Sequence, residues 1–439
     1  MPTDRIRPRL LSGFRDYLPE QMIPRQRMVD TIRRVFESYG FVPLETPALE
    51  YTEVLLGKGG GETEKQVYRF MRGDRDVCLR YDLTVPLARV AAQYPELPKP
   101  FKRYQIAAVW RGERKQRGRF REFVQCDVDT VGSASLLADA EVLDAGINML
   151  LALGIERFAV RLSTRKLLNG VCAAQGIADP EQVAAVGRIV DALPKIGAEA
   201  VQGGLREEAR LGKKALAAVM GLVTTQGARE EVLADLAARL GDVPLCAEGI
   251  ADLRGICALA DAARVAPERL VVDPSIVRGL DYYTGAVFET FLDDLPGFGS
   301  IMSGGRYDGL VGRFAKQDLP AVGISLGLDR LFAALEELGL TAPAGATASV
   351  LVTVFSPEMA GESLRLANEL RAAGVAAEVY AAEARLGRQL EYAAKRGLRW
   401  ALIVGPDELA AGQVVVRDIA AGEQQAVARG EVAARLSAS

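Results

Sequence analysis

Apolar positions along this chain change their spacing several times, and each change marks a different kind of element. Over residues 24–39, Met28, Ile32, Val35, Phe36 and Tyr39 recur at helical intervals. Pro24 suits a first helical turn and Gly40 a stop, so an amphipathic helix is expected there. An extended segment follows at Phe41-Val42-Pro43-Leu44. Residues 51–132 break into short apolar runs between glycine, proline and charge clusters, and 76–81, 105–110 and 123–131 read as strands. The last of these alternates Val124-Gln125, Cys126-Asp127, Val128-Asp129, and should turn its acids to one side. A helix at 135–153 and a strand at 158–162 come next.

From 165 to 266 alanine, leucine and glutamate take over at helical spacing, which reads as a helical insertion. Strand signals return at 270–272, 286–291 and 324–326, followed by a helix at 328–338. An antiparallel sheet interrupted by a helical module is the simplest architecture. Residues 339–348 form a linker by composition. Beyond it a β-α-β-α-β series, at 350–355, 363–372, 375–380, 386–395 and 400–404, predicts a small α/β domain with a mostly parallel sheet. The expected division is 1–164 with 267–338, an insertion at 165–266, and a last domain at 349–439.

A chain of 439 residues is too long for one core, which agrees with that division. Its 49% hydrophobic and 25% charged residues are those of a soluble globular protein, with no stretch apolar enough to span a bilayer and no secretory signal at the start. The five cysteines are scattered and never in a C-x-x-C pair, which points to reduced cytoplasmic thiols rather than disulfides or zinc. Net charge is −3, so any nucleic-acid contact must come from local basic patches. There is no histidine, and this excludes an imidazole base or a His-ligated metal.

Four clusters carry candidate chemistry. Arg111-Gly112-Glu113-Arg114-Lys115-Gln116-Arg117-Gly118-Arg119-Phe120-Arg121 lies between two expected strands. Its arginine forks suit phosphate oxygens and adenine, and it also fits a solvated basic hairpin. Arg278-Gly279-Leu280-Asp281-Tyr282-Tyr283 and Ser303-Gly304-Gly305-Arg306-Tyr307-Asp308-Gly309 could be a strand end and a glycine turn, or places where backbone approaches a ligand. Gly323-Ile324-Ser325-Leu326-Gly327-Leu328-Asp329-Arg330 feeds a strand into a helix.

Taken in order and spacing, these clusters resemble the histidyl-tRNA synthetase family over essentially the whole chain. Residues 41–50, with Pro47, look like class II motif 1, which builds the dimer interface. Residues 111–129 look like motif 2 and 323–330 like motif 3. The clusters from Arg278 and from Ser303 are similar to the two histidine-specific signatures, and Leu79-Arg80-Tyr81-Asp82-Leu83-Thr84-Val85-Pro86 matches a further family block.

The resemblance implies a class II sheet of six or more antiparallel strands, a homodimer, and a C-terminal anticodon-binding module. It implies that Asp82, Thr84 and Gln125 hold the α-amino group of histidine, that Asp129 and Tyr283 read the imidazole, and that Tyr282 is a further histidine-binding residue. Arg111 and Arg278 would be the catalytic cations on either side of the α-phosphate, both also touching histidine. Glu113, Arg119, Arg121 and Arg330, with Arg111, would bind ATP, whose phosphates bring Mg²⁺; no zinc is called for. Arg114 and Gln116 would meet the tRNA acceptor end. Gln116 lies where the family reads an extra 5′ guanosine, and Lys115 stands where the family commonly has proline. Lys213 and Lys214 would lie on the acceptor stem, and Arg385, Arg388, Lys395 and Arg396 would give one C-terminal helix a basic face.

Two other readings compete. Synthetase-like regulatory subunits of ATP phosphoribosyltransferase bind histidine without charging tRNA, but typically lack the C-terminal module and the basic hairpin. A threonyl- or prolyl-type synthetase would need zinc ligands or different pocket residues.

Overall fold

The computed structural model describes residues 6–57, 63–113, 118–277, 282–341 and 345–437. It divides into two compact units, one made of the chain up to Arg15 and Val29–Leu338, the other of Asp16–Met28 and the chain from Gly339.

Helix α1 (Pro19–Ser38) begins at Pro19 rather than at Pro24. Pro19 takes the first-turn position, and Pro24 sits one turn inside, where a proline removes a single helical hydrogen bond. Gly40, at φ 76°, ends the helix as its sequence position suggests. The order then runs β1 (Val42–Pro43), β2 (Leu49–Tyr51), α2 (Thr52–Leu56), β3 (Arg69–Arg72), β4 (Arg75–Leu79), α3 (Thr84–Gln93), β5 (Phe101–Trp110), β6 (Glu122–Val131), α4 (Leu136–Ala152) and β7 (Phe158–Thr164). Six helices follow: α5 (Arg165–Ala174), α6 (Pro180–Asp191), α7 (Leu193–Glu207), α8 (Lys213–Val223), α9 (Arg229–Leu240) and α10 (Pro244–Ala262). The unit closes with β8 (Leu270–Val272), β9 (Ala286–Leu292), β10 (Met302–Arg306), β11 (Ala321–Gly327) and α11 (Leu328–Glu337).

Its eight-stranded sheet has the order β1-β5-β6-β11-β10-β9-β7-β8. The five inner pairings are antiparallel and the two edge pairings parallel. Two further stretches depart from the sequence reading. Residues 51–132 are not strands alone, since α2 and α3 are helices; Pro86 falls in the first turn of α3, where it costs no hydrogen bond, and Val85, Leu87, Ala88, Val90 and Ala91 are buried. Ser303-Gly304-Gly305-Arg306 is not a turn but an inner strand, β10. A Cβ on Gly304 would collide with the Gly323 carbonyl of β11, so glycine lets two strands and the cleft floor share one narrow space.

The second unit contains β12 (Val350–Val352), α12 (Ala360–Ala372), β13 (Ala377–Val379), α13 (Leu386–Arg396), β14 (Trp400–Ile403), α14 (Pro406–Ala410), β15 (Gln413–Asp418), β16 (Gln424–Ala428) and α15 (Val432–Ser437). Its sheet runs β13-β12-β14-β15-β16. The first two pairings are parallel, as expected, but β15 and β16 add an antiparallel hairpin, so the sheet is mixed. The turn between them is made by Asp418, whose Oδ1 accepts from the Ala420 and Ala421 amides, and by Gly422 at φ 72°.

Candidate active site

Strands β5 and β6, ten residues each, form a long hairpin near one edge of the large sheet, and their ends set the site. The Arg111 amide bonds the Arg121 carbonyl at 2.8 Å, closing the base of the hairpin loop. The Trp110 amide bonds the Arg80 carbonyl at 3.0 Å, which brings the Asp82 block alongside. On the other flank, β11 pairs with β6 so that Gly323, Ser325 and Gly327 stand opposite Asp129, Asp127 and Gln125. These strands wall a cleft lined by ten of the residues singled out in the sequence: Asp82, Thr84, Arg111, Glu113, Arg119, Gln125, Asp129, Tyr282, Tyr283 and Arg330.

Arg111 is fixed before any ligand arrives. Its Nε donates to the Tyr81 carbonyl at 2.9 Å, and its guanidinium lies over the Phe123 ring, 5.2 Å from the centroid. Arg330 follows directly on β11 in the first turn of α11. Asp329 beside it accepts the Val124 amide at 2.6 Å, pinning the helix start to β6. The Arg330 guanidinium packs on Phe298 and donates to that residue's carbonyl. Burial, then the nearby Arg119 charge, lowers its pKa to about 10, which leaves it cationic at neutral pH. Arg119 pairs with Glu113 at 3.2 Å on the same wall. Anions are the natural guests of this end.

The opposite end is acidic and dry. Asp82, Asp127 and Asp129 are each 2% exposed or less. The Val85 amide donates to Asp82 Oδ1 at 3.2 Å, and burial pushes the carboxyl up to about 6 against the pull of Arg111 and Arg103. Asp129 receives the phenolic hydroxyl of Tyr307 and faces Arg103 at 2.9 Å. Gly323 leaves room for the Asp129 carboxylate, since a Cβ there would overlap it. Gln125 donates to the Ser325 hydroxyl at 2.6 Å, leaving its own carbonyl oxygen buried without a hydrogen-bond partner.

Some predicted residues are elsewhere. Arg121 does not line the cleft: its guanidinium donates to the Glu113 and Ser12 carbonyls at 3.3 and 3.2 Å, tying the hairpin to the segment before α1. Arg278, Arg114 and Gln116 lie outside the described residues. Lys213 and Lys214 are exposed at the start of α8, and Arg385, Arg388 and Lys395 are exposed on α13 and its cap, while Arg396 leans toward Glu378 at 3.7 Å.

Sequence reasoning left Arg103, Asp127, Ser325, Glu289 and Phe298 without roles, and quoted Tyr307 without assigning it one. Only Asp127 carried a legible signal, because it alternates with Gln125 and Asp129 on one strand face.

The family model for histidyl-tRNA synthetase matches residues 13–331, and that for the anticodon binding domain matches 349–439. The chain is 48% identical to the histidine–tRNA ligase of Rhodopirellula baltica over 425 residues, 96% of each chain. It is 44% identical to that of Wolinella succinogenes over 435 residues, 98% of each. Among solved structures it resembles the histidyl-tRNA synthetase of Nostoc sp. PCC 7120 at a TM-score of 0.87 and 35% identity, covering 99% of both chains.

Proposed function

Since the chain belongs to the histidyl-tRNA synthetase family, we propose that this cleft activates histidine with ATP and that the protein then esterifies the 3′-terminal adenosine of histidine tRNA. The observation carrying this reading is the convergence of Asp82, Thr84, Arg111, Gln125, Asp129 and Tyr283, from separate parts of the chain, on one cleft with a cationic end and an acidic end.

The proposed chemistry is positional and electrostatic. Asp82, Thr84 and Gln125 hold the ammonium group, while Asp129 with Tyr283 and Tyr282 takes the ring. The histidine carboxylate then points toward Arg111 and attacks the α-phosphorus of ATP, and pyrophosphate leaves. Charge builds on the α-phosphate oxygens as the bond forms, and Arg111, already oriented by Tyr81 and Phe123, meets it without reorganising. Arg278 is assigned the second cation by the family resemblance. Arg119, Arg330 and Glu113 take the rest of the nucleotide; Arg121 is better suited to bracing the loop that carries Glu113. In the second half-reaction the tRNA hydroxyl attacks the activated carbonyl and AMP leaves. No step needs a histidine from the protein.

Mg²⁺ is held by one or two carboxylates and substrate phosphates in sites of this kind, and Glu113 and Glu289 are the carboxylates lining the cleft near Arg330. They fit an ion brought by the nucleotide, which would screen the triphosphate charge. No zinc is assigned.

A cytoplasmic homodimer is proposed, with the motif 1 region at its interface. Supporting this, Val42, Leu49, Tyr51, Phe70 and Met71 are large apolar side chains left exposed in one region of sequence. Arg114 and Gln116 are assigned to the acceptor end, and Lys213, Lys214 and the α13 arginines to the rest of the tRNA. The proposed organisation is a catalytic domain at 1–164 and 267–338, an insertion at 165–266, and an anticodon-binding domain at 349–439.

Histidine-dependent exchange of pyrophosphate into ATP, followed by charging of histidine tRNA, tests the assignment. Histidine binding with neither exchange nor charging would favour a histidine-binding regulator instead.

A further inference from the structure

Three carboxylates, Asp82, Asp127 and Asp129, share the acidic end of the cleft with one buried guanidinium, that of Arg103. Arg111 also pulls on Asp82 but is assigned to the substrate carboxylate and phosphate; with it so engaged, two negative charges of this group lack an opposite, and in a wall so buried they must be answered by a ligand or by protons. The orphaned acceptors show where. Oδ2 of Asp82, Oε1 of Gln125, Oδ1 of Asp127 and Oδ2 of Asp129 are buried and have no hydrogen-bond partner, and neither have Nε and Nη1 of Arg103, which cannot reach all of them.

The ammonium group of the substrate has three N–H donors, and Asp82, Thr84 and Gln125 already supply three acceptors. Asp127 is left over. It alternates with Gln125 and Asp129 on β6, so it stands one two-residue step, about 7 Å along the strand, from the carboxylate assigned to the ring. The hydroxyl of Ser325, directly across on β11, hydrogen-bonds Asp127 and is itself held by Gln125. The remaining Asp127 oxygen is therefore fixed in place.

We infer that Asp127 is a second acceptor for the substrate side chain, and that Asp127 and Asp129 together bind histidine as its imidazolium, one carboxylate to each ring N–H. This rests on the assignment of the cleft to histidine. A neutral imidazole offers a single N–H and would set its bare nitrogen against a carboxylate. An imidazolium with its ammonium group carries two positive charges, the number the cleft lacks.

The groups facing Asp127 are Gln125 and Asp129 on its own strand, Arg103 from β5, Ser325 from β11, Asp82 from the turn before α3, and Tyr307 after β10. Burial and the Asp129 charge push Asp127 up to about 7, so near neutrality the empty pair retains a proton. When histidine enters with a neutral ring, that proton passes from the carboxyl oxygen to the ring nitrogen. One O–H bond breaks and one N–H bond forms; at pH 8, where the empty pair has largely lost its proton, a water molecule supplies it and leaves as hydroxide.

Calorimetric binding of histidine and of 2-fluorohistidine tests this, because the fluorinated ring has nearly the same shape and is too weak a base to be protonated. The wild-type protein should prefer histidine by about 100-fold, the scale of a lost charge-assisted hydrogen bond in a buried site, and Asp127→Asn should narrow that preference to about tenfold or less. Ring-labelled ¹⁵N histidine bound to the wild type at pH 8, where the free ring is neutral, should show two protonated nitrogens. Near-equal wild-type affinities, or one bare ring nitrogen, would overturn the inference. So would an equal loss of both ligands in the variant, which would place Asp127 at the ammonium group. The wild-type measurements stand whether or not the variant folds. Pyrophosphate exchange with histidine itself reports separately on the underlying activity: exchange without discrimination sinks the imidazolium alone, and no exchange sinks both.

Discussion

Arg103 on β5 and Asp129 on β6 occupy directly paired positions and meet at 2.9 Å, the arginine wholly buried and the carboxylate nearly so. This pair is the electrostatic keel of the acidic end, since Asp127 and Asp82 also feel the Arg103 charge. Arg103→Met should cost about 3–5 kcal/mol, the scale of an ion pair broken in a dry interior, because it strands three carboxylates. Adding Asp129→Asn to that variant should restore part of the loss. Denaturant unfolding of the single and double variants checks it; a single variant as stable as wild type contradicts the pairing.

Tyr307→Phe removes the hydroxyl that Asp129 accepts and keeps the ring in place. A buried charged acceptor that loses a donor gives up about 1.5–3 kcal/mol. If that donor orients Asp129 for the substrate, KM for histidine should rise about tenfold or more while KM for ATP stays put. Steady-state pyrophosphate exchange separates the two constants, and an unchanged histidine KM would rule out an orienting role.

Gly323→Ala would place a methyl group inside the Asp129 carboxylate and 2.9 Å from the Val128 carbonyl. Backbone cannot yield there, so the carboxylate must swing away and histidine affinity should collapse. Gly203→Ala, in the interior of α7 with nothing within 4 Å of the new methyl, should instead stabilise the fold by about 0.5–1 kcal/mol. Paired thermal melts and histidine titrations distinguish steric exclusion at one glycine from mere helix weakness at the other.

Burial raises Asp127 to about 7 and Asp82 to about 6 from an ordinary 3.8. Between 3.8 and 7 the folded chain therefore binds more protons than the unfolded one. Stability from these two groups is greatest at the acid end of that window and declines as pH rises through it. Asp127→Asn removes one of the titrating sites. The stability difference between variant and wild type should consequently shift in the variant's favour from pH 5 to pH 8, in ligand-free melts. A difference independent of pH would show that Asp127 does not titrate in this range.

Arg330 and Arg121 make contrasting claims. Arg330→Ala should raise KM for ATP by about 10–100-fold, the worth of a charge-assisted contact to phosphate, with little effect on histidine binding. Arg121→Ala should instead loosen the Ser12–Gly13 segment, read as faster hydrogen exchange there, with a smaller effect on ATP. The opposite ranking in nucleotide titrations would restore Arg121 to the ATP site.

The sequence by itself determined the large pieces and most of the cleft. Helical spacing over 165–262 and the alternation of β6 are local properties, set by side-chain period, and they survive being read one segment at a time; the glycine–arginine clusters are ambiguous singly and speak only through their order and spacing along the chain. Arg111 is legible in the basic cluster and Gln125 and Asp129 in the β6 alternation, whereas Asp82 is picked out only by the resemblance of residues 79–86 to a family block. Tertiary structure decided the rest. Ser303-Gly304-Gly305-Arg306 reads as a turn until β9 and β11 flank it, and only then does the crowding at Gly304 explain its glycines. Arg103 is an unremarkable arginine in a strand until the register of β5 and β6 sets it against Asp129. The proton affinity of Asp127 likewise comes from burial among groups far apart in the chain. Charge balance in a dry site is a sum over neighbours, and neighbours are what folding supplies.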